Sequence, residues 1–214
     1  MGSWQSGFTQ WAPAWAAVRG LSSTRDGDAV KITPARGSAP PQYVATWPGR
    51  DTPRAAAAVA GHRGSHLTLV TDDAETAQEF AARQGLAPLS RLALLTAYPS
   101  DLPQAPQLPD GAELSLALAG GCSVVEITAF GDTVARGRMA PADGLAVLGG
   151  LYIRRADPDH TMESAVVTAL TGEAAATEVP MILMPALPKS VPWYGRQGWS
   201  PTAAVLTFMR PAGP

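Results

Sequence analysis

The sequence predicts an α/β (α+β) fold in which helices flank a mixed sheet, the whole arrangement being duplicated with an eroded first copy. Three observations lead there. Residues 112–214 read as an antiparallel meander followed by strand-helix-strand, residues 1–98 carry a shorter run of the same kind, and a proline-rich linker, 99–111, lies between them.

Trp11, Trp15 and Val18 fall at helical spacing, so the N-terminal segment is predicted as an amphipathic helix ended by Gly20. Asp28 to Thr33 and Gln42 to Trp47 alternate as strands, and Thr52-Pro53 opens a helix to Ala60. Next come a strand from His66 to Thr71, a helix from Ala74 to Gln84 and a strand from Leu89 to Thr96. The stretch Tyr98 to Gly111 holds four prolines, which exclude a helix interior and a central strand.

In the second half the predicted strands are Glu113 to Ala119, Ser123 to Phe130, Thr133 to Met139 and Leu145 to Arg154, with turns at Gly131-Asp132 and Pro141 to Gly144. A helix from Thr161 to Ala176, a strand from Val179 to Met184, a short helix from Val191 to Gln197 and a last strand from Ala203 to Met209 complete it. Arg83-Gln84-Gly85 recurs as Arg196-Gln197-Gly198, and at the same offset Phe80 falls on Trp193 and Pro88 on Pro201. That shared punctuation is the reason for predicting two related halves.

Composition excludes several partner classes. A net charge of -2 gives no basic footprint for nucleic acid or an anionic membrane surface. No run has the length of a membrane-spanning helix and no secretory leader is legible, so a cytoplasmic protein is expected. The lone Cys122 sits in an apolar stretch and has no partner for an internal disulfide. Met1-Gly2-Ser3-Trp4-Gln5-Ser6 fits the N-myristoylation pattern, which we read as coincidence in an Ala-, Gly-, Pro- and Arg-rich chain of bacterial character. His62, His66 and His160 have no companions at metal-ligand spacing, so no metal is expected. A hydrolase is disfavoured too, because the sequence has neither a Gly-x-Ser-x-Gly elbow nor a paired histidine.

Val134-Ala135-Arg136-Gly137-Arg138, the strand Leu145 to Ile153 and above all Pro192-Trp193-Tyr194-Gly195-Arg196-Gln197-Gly198-Trp199 carry a resemblance to the GNAT superfamily of N-acetyltransferases. It extends over roughly Leu114 to Phe208. The resemblance implies transfer of an acetyl group from acetyl-CoA to an amine, the cofactor lying in a V opened by a strand and the following helix. Tyr194 falls on the tyrosine that in many members donates a proton to the departing thiolate. Leu151, Tyr152 and Ile153 fall on the strand that borders the cofactor, and Thr161, Met162 and Ser164 on the phosphate loop and helix start.

The family's Arg/Gln-x-x-Gly-x-Gly/Ala loop, in which glycines bring backbone amides to the pyrophosphate at a helix N-terminus, is altered here. An ungapped alignment puts Pro158 at the Arg/Gln, Thr161 at the first glycine and Glu163 at the second. Arg154 and Arg155 are alternative phosphate ligands. Tyr152 stands where a glutamate base often appears, leaving a water chain or Glu126 to take the amine's proton. Two functions follow: an N-acetyltransferase with weak or altered cofactor binding, or a non-catalytic binding or dimerisation module that forms a homodimer. The acceptor, a small amine or a protein N-terminus or lysine, is unspecified.

Overall fold

The computed structural model describes residues 4–34, 39–154, 157 and 159–211. Its core is one sheet of 11 strands. The first half supplies α1 (Trp4–Val18), β1 (Leu21–Asp26), β2 (Ala29–Pro34), β3 (Gln42–Trp47), α2 (Thr52–Gly61), β4 (His66–Thr71), α3 (Ala74–Arg83) and β5 (Ala87–Ala97). The second supplies β6 (Ala112–Ala119), β7 (Cys122–Ala129), β8 (Asp132–Ala142), β9 (Leu145–Ile153), α4 (Thr161–Ala176), β10 (Ile182–Ala186), α5 (Val191–Arg196) and β11 (Ser200–Met209).

The strand order, β1-β2-β3-β4-β11-β5-β10-β9-β8-β7-β6, shows that the last strand of each half is inserted beside the other half. β11 runs antiparallel between β4 and β5, and β5 runs antiparallel between β11 and β10. The segment predicted as a linker therefore does not separate two sheets. It folds as a 3-10 turn (Pro99–Asp101) followed by buried Leu102, and the Gln104 amide donates to the carbonyls of Pro99 and Leu102.

Alternation along the strands sorts the core onto the two faces. On one face, among the described residues, α1 is the helix that lies across the sheet, seating Phe8, Trp11, Trp15 and Val18 on Val30, Val44, Val70, Leu94, Val147 and Val205. On the other face α2 and α3 cover Leu67, Leu69, Leu206 and Phe208, while α4 and α5 cover Val125, Ile127, Leu148, Ile182 and Met184. Arg83-Gln84-Gly85 and Arg196-Gln197-Gly198 occupy like positions. Each runs from the last helical residue through the cap to a glycine of positive φ, 70° and 96°, just ahead of β5 and β11.

Several boundaries differ from the sequence reading. β1 was not foreseen, because Leu21-Ser22-Ser23-Thr24-Arg25-Asp26 is polar on an exposed edge and pairing with β2 is what makes it a strand. The strand expected from Val179 begins at Ile182, since the Val179 amide closes α4 on the Ala174 carbonyl and Glu178 takes a positive φ of 55°. The turn expected at Pro141 is shorter, with β8 running on to Ala142 and pairing to Leu145. β5 and β11 both extend beyond the predicted limits because each has a strand on either side.

α4 seats on β8 only because Gly137 lacks a side chain: a Cβ there would lie 2.5 Å from Val166 Cγ1 and 2.9 Å from Leu151 Cδ2. Gly137→Ala should therefore destabilise the fold by about 1–3 kcal/mol through overpacking, read as a lower midpoint in chemical denaturation. An unchanged midpoint would show that α4 is not held against β8 in this way.

Candidate active site

β9 and β10 are parallel neighbours that stay together only briefly. Ile182 pairs with Ala146 and Leu183 with Val147, and beyond these the strands part. The parting has a local cause on β9, where the register against β8 slips between Arg136 and Arg138 and Gly150 takes a φ of 60°. Such a bulge bends the strand. Both glycines are required: a Cβ on Gly149 would meet Val18 Cγ2 at 2.8 Å, and one on Gly150 the Val18 carbonyl oxygen at 2.8 Å. The N-terminal half has no such split, because β3 and β4 pair in parallel without interruption from Gln42↔His66 to Trp47↔Thr71.

On the α1 side the split opens into a cleft of about 480 Å³. Gly149, Gly150 and Leu151 of β9, Pro185 of β10, Leu92 of β5, Trp15 of α1 and Arg19 just past its end are among its walls. On the opposite side, Ile153, Thr161 and Met162 line a separate hollow with Phe130, Val134 and Asp157. Ser164 faces a narrow gap beneath α5, together with Val167, Trp193 and Tyr194. Tyr152 is 46% exposed opposite Arg136. The residues expected to hold the cofactor are thus spread over three hollows and one exposed position rather than one site.

The start of α4 is occupied by the protein's own carboxylates. The Glu163 amide donates to Asp157 Oδ2 at 2.9 Å, so an internal anion takes one of the free donors of the helix N-terminus. Glu163 turns its carboxylate towards α5, where Oε1 accepts the Tyr194 hydroxyl and Oε2 lies 2.8 Å from His160 Nδ1. The His160 ring stacks on Trp193 with centroids 4.4 Å apart, and Trp193 meets Tyr194 edge-on at 4.7 Å. A polar and aromatic clasp therefore joins α4 to α5. Sequence reasoning placed Glu163 and Tyr194 correctly on their elements but did not pair them, and it gave His160 and Asp157 no part.

Tyr194 is 1% exposed. Burial holds its phenol well above its ordinary pKa, and the charge and hydrogen bond of Glu163 push it further. Its hydroxyl, expected to serve a departing thiolate, here donates to Glu163 Oε1. Arg154, the alternative phosphate ligand, is paired with Asp132 at 2.6 Å. Arg155 and Pro158 lie outside the described residues. Glu126, the alternative base, faces Arg136 at 3.7 Å on the α1 side of β7.

Because the folded pKa of Tyr194 is raised, its protonated form stabilises the fold fully below the ordinary phenol pKa of about 10, and that contribution is lost as pH rises past it. Tyr194→Phe should destabilise by about 1–3 kcal/mol at neutral pH by leaving the Glu163 oxygen without its donor. The gap between wild type and variant should shrink above about pH 10. In an ultraviolet titration one of the four tyrosines should ionise only on unfolding, and the variant should lack that late step. Four tyrosines that ionise together would refute the clasp.

No protein-family profile matches the sequence, and no curated protein sequence matches it either. Solved structures do. A GCN5-related N-acetyltransferase from Kribbella flavida matches over 98% of this chain and 95% of its own, with a TM-score of 0.65 at 17% identity. A tandem GNAT protein from the clavulanic acid biosynthesis pathway matches over 87% and 79%, with a TM-score of 0.59 at 13% identity. A GCN5-related N-acetyltransferase from Sphaerobacter thermophilus matches over 85% and 79%, with a TM-score of 0.53 at 13% identity. These are likenesses of backbone, and with the split between β9 and β10 they establish that the chain has the fold of the GNAT superfamily of N-acetyltransferases.

Proposed function

We propose that the chain is an acyl-CoA-dependent N-acyltransferase whose working cleft is the split in its C-terminal half, with an altered and weakened grip on the cofactor. We also read the chain as two GNAT-like halves, the first eroded, on the strength of the matched element order. The observation that carries the functional reading is the contrast between the two parallel strand pairs. Where β3 and β4 zip together, backbone donors and acceptors satisfy one another; where β9 leaves β10, the facing edge of β9 stays unpaired beyond Val147. Such an edge is maintained at a cost unless something else takes its hydrogen bonds.

The residues present fit an acyl-CoA in one part and not in another. The split offers backbone at Leu151 to Ile153 that can polarise a thioester carbonyl while a bound amine attacks it. Acetyl-CoA would supply the activated acyl group. The phosphate end does not fit, because Asp157 and Glu163 set two carboxylates at the helix start where the family binds pyrophosphate. In this reading Tyr194 is a positioning residue that sets α5 against α4.

A second reading, a non-catalytic binding or dimerisation module, is favoured by that same clasp, which bridges α4 and α5. Charge separates the two. At ~6 Å and an effective dielectric of about 40, one carboxylate against one phosphate charge costs about 1.4 kcal/mol, roughly tenfold in affinity. Calorimetric titration should show acetyl-CoA binding to wild type more weakly than the micromolar range, and Glu163→Gly combined with Thr161→Gly should tighten it by at least that factor. Low-micromolar binding by wild type would overturn the assignment of Glu163 to the pyrophosphate site. If neither protein binds acetyl-CoA or coenzyme A, the acyltransferase reading fails and the binding module stands.

A further inference from the structure

The cleft on the α1 side holds an arginine with no carboxylate partner. Arg19, at the end of α1, lays its guanidinium over the Trp15 ring, 4.5 Å from the centroid, and donates through Nη1 to Gln42 Oε1 at 2.8 Å. Gln42 is buried and held in turn: its amide donates to Thr68 Oγ1 at 2.6 Å, and Thr68 shares a hydrogen bond of 2.9 Å with Thr207. The chain Arg19–Gln42–Thr68–Thr207 runs across β3, β4 and β11, so the first half and the exchanged last strand fix the cation together. Among the described residues no acidic side chain forms an ion pair with Arg19, although its guanidinium is stacked and partly buried. Its surroundings desolvate the guanidinium enough to lower its pKa from the usual arginine value.

We propose that Arg19 reads the carboxylate of a small carboxylate-bearing amine bound in this cleft, with the amine directed at the split beside Gly150 and Leu151. The inference rests on the acyltransferase reading for the purpose of the amine and deepens it by naming the acceptor class. The guanidinium is stacked and hydrogen-bonded on one side, so its orientation is set before a ligand arrives, and its remaining N–H groups can form the two parallel bonds that a carboxylate accepts. Arg19 and Gly150 border the same cleft, so an anionic group on Arg19 leaves the rest of a short ligand at the opening. Trp15, Leu89 and Leu92 provide apolar surface for its body. One guanidinium matches one carboxylate charge, while a phosphate dianion would need further donors.

The experiment titrates the full chain, without acetyl-CoA, with glycine, leucine, 4-aminobutyrate and 6-aminohexanoate, each beside its amide, and follows tryptophan fluorescence and heat. At least one amino carboxylate should bind saturably and its amide about tenfold or more weakly. Arg19→Met, which keeps the stem over Trp15, should erase that preference, and Arg19→Lys should keep part of it, which guards against misreading a folding defect. Equal binding of acid and amide, a preference that survives Arg19→Met, no saturable binding of any probe, or inorganic phosphate binding as tightly as the best carboxylate would each overturn the proposal. Since acetyl-CoA is absent, failure here is distinct from failure of the acyltransferase reading, which the acetyl-CoA titration decides.

Discussion

The exchange of β5 and β11 is the constraint from which the rest of the architecture follows. Each terminal strand of a half lies between two antiparallel neighbours, both of them from the other half, so neither half closes its own sheet. Long-range pairing of this kind is slow to form, and once formed it makes the halves one cooperative body. It also fixes β10. Its five residues are laddered to Ala93–Ala97 of β5, so β10 cannot follow β9 when β9 bends at Gly149-Gly150. The split results from β10 being anchored while β9 carries a bulge.

α1 belongs to the same logic. It lies on its face of the sheet across strands of both halves, and its C-terminal turn presses Val18 against the bulge. That contact brings Trp15 and Arg19 to the mouth of the split, while the buried polar chain from Gln42 to Thr207 passes beneath them. A polar chain in such a place is stable only when every member is partnered, and here each side chain has its hydrogen bond. The cleft walls are therefore contributed by both halves, and neither half alone would present that cleft.

Much of this was legible in the sequence. The helices over Trp11–Val18, Ala74–Arg83 and Thr161–Ala176 declared themselves by their residue pattern, the first two with a glycine close behind, and the proline-rich stretch declared itself as irregular. The repeated Arg-Gln-Gly tripeptide located two equivalent helix ends. Strand exchange was not legible, because alternation marks a strand but not its neighbour. β1 escaped because its polar residues owe their conformation to β2. At the site, the family resemblance placed Glu163 at the helix start and picked out Tyr194, but their meeting depends on how α4 and α5 lie over the sheet, which a match of residues along the chain does not encode. Arg19 gave no signal at all, since an arginine near a helix end reads as a solvated cap.

The clasp also changes the sign of the site. In a phosphate-binding helix start, open amides and the helix dipole await a negative charge. Here Asp157 already accepts the Glu163 amide, and the Glu163 carboxylate faces His160 and Tyr194, so the field that would attract a phosphate is met from within the chain. On the opposite face lies Arg19, which forms no ion pair among the described residues. A ligand that enters this protein thus meets carboxylates at the phosphate end and a guanidinium at the mouth of the split. Electrostatics would then select a small acidic molecule on the α1 side more strongly than a nucleotide tail on the other.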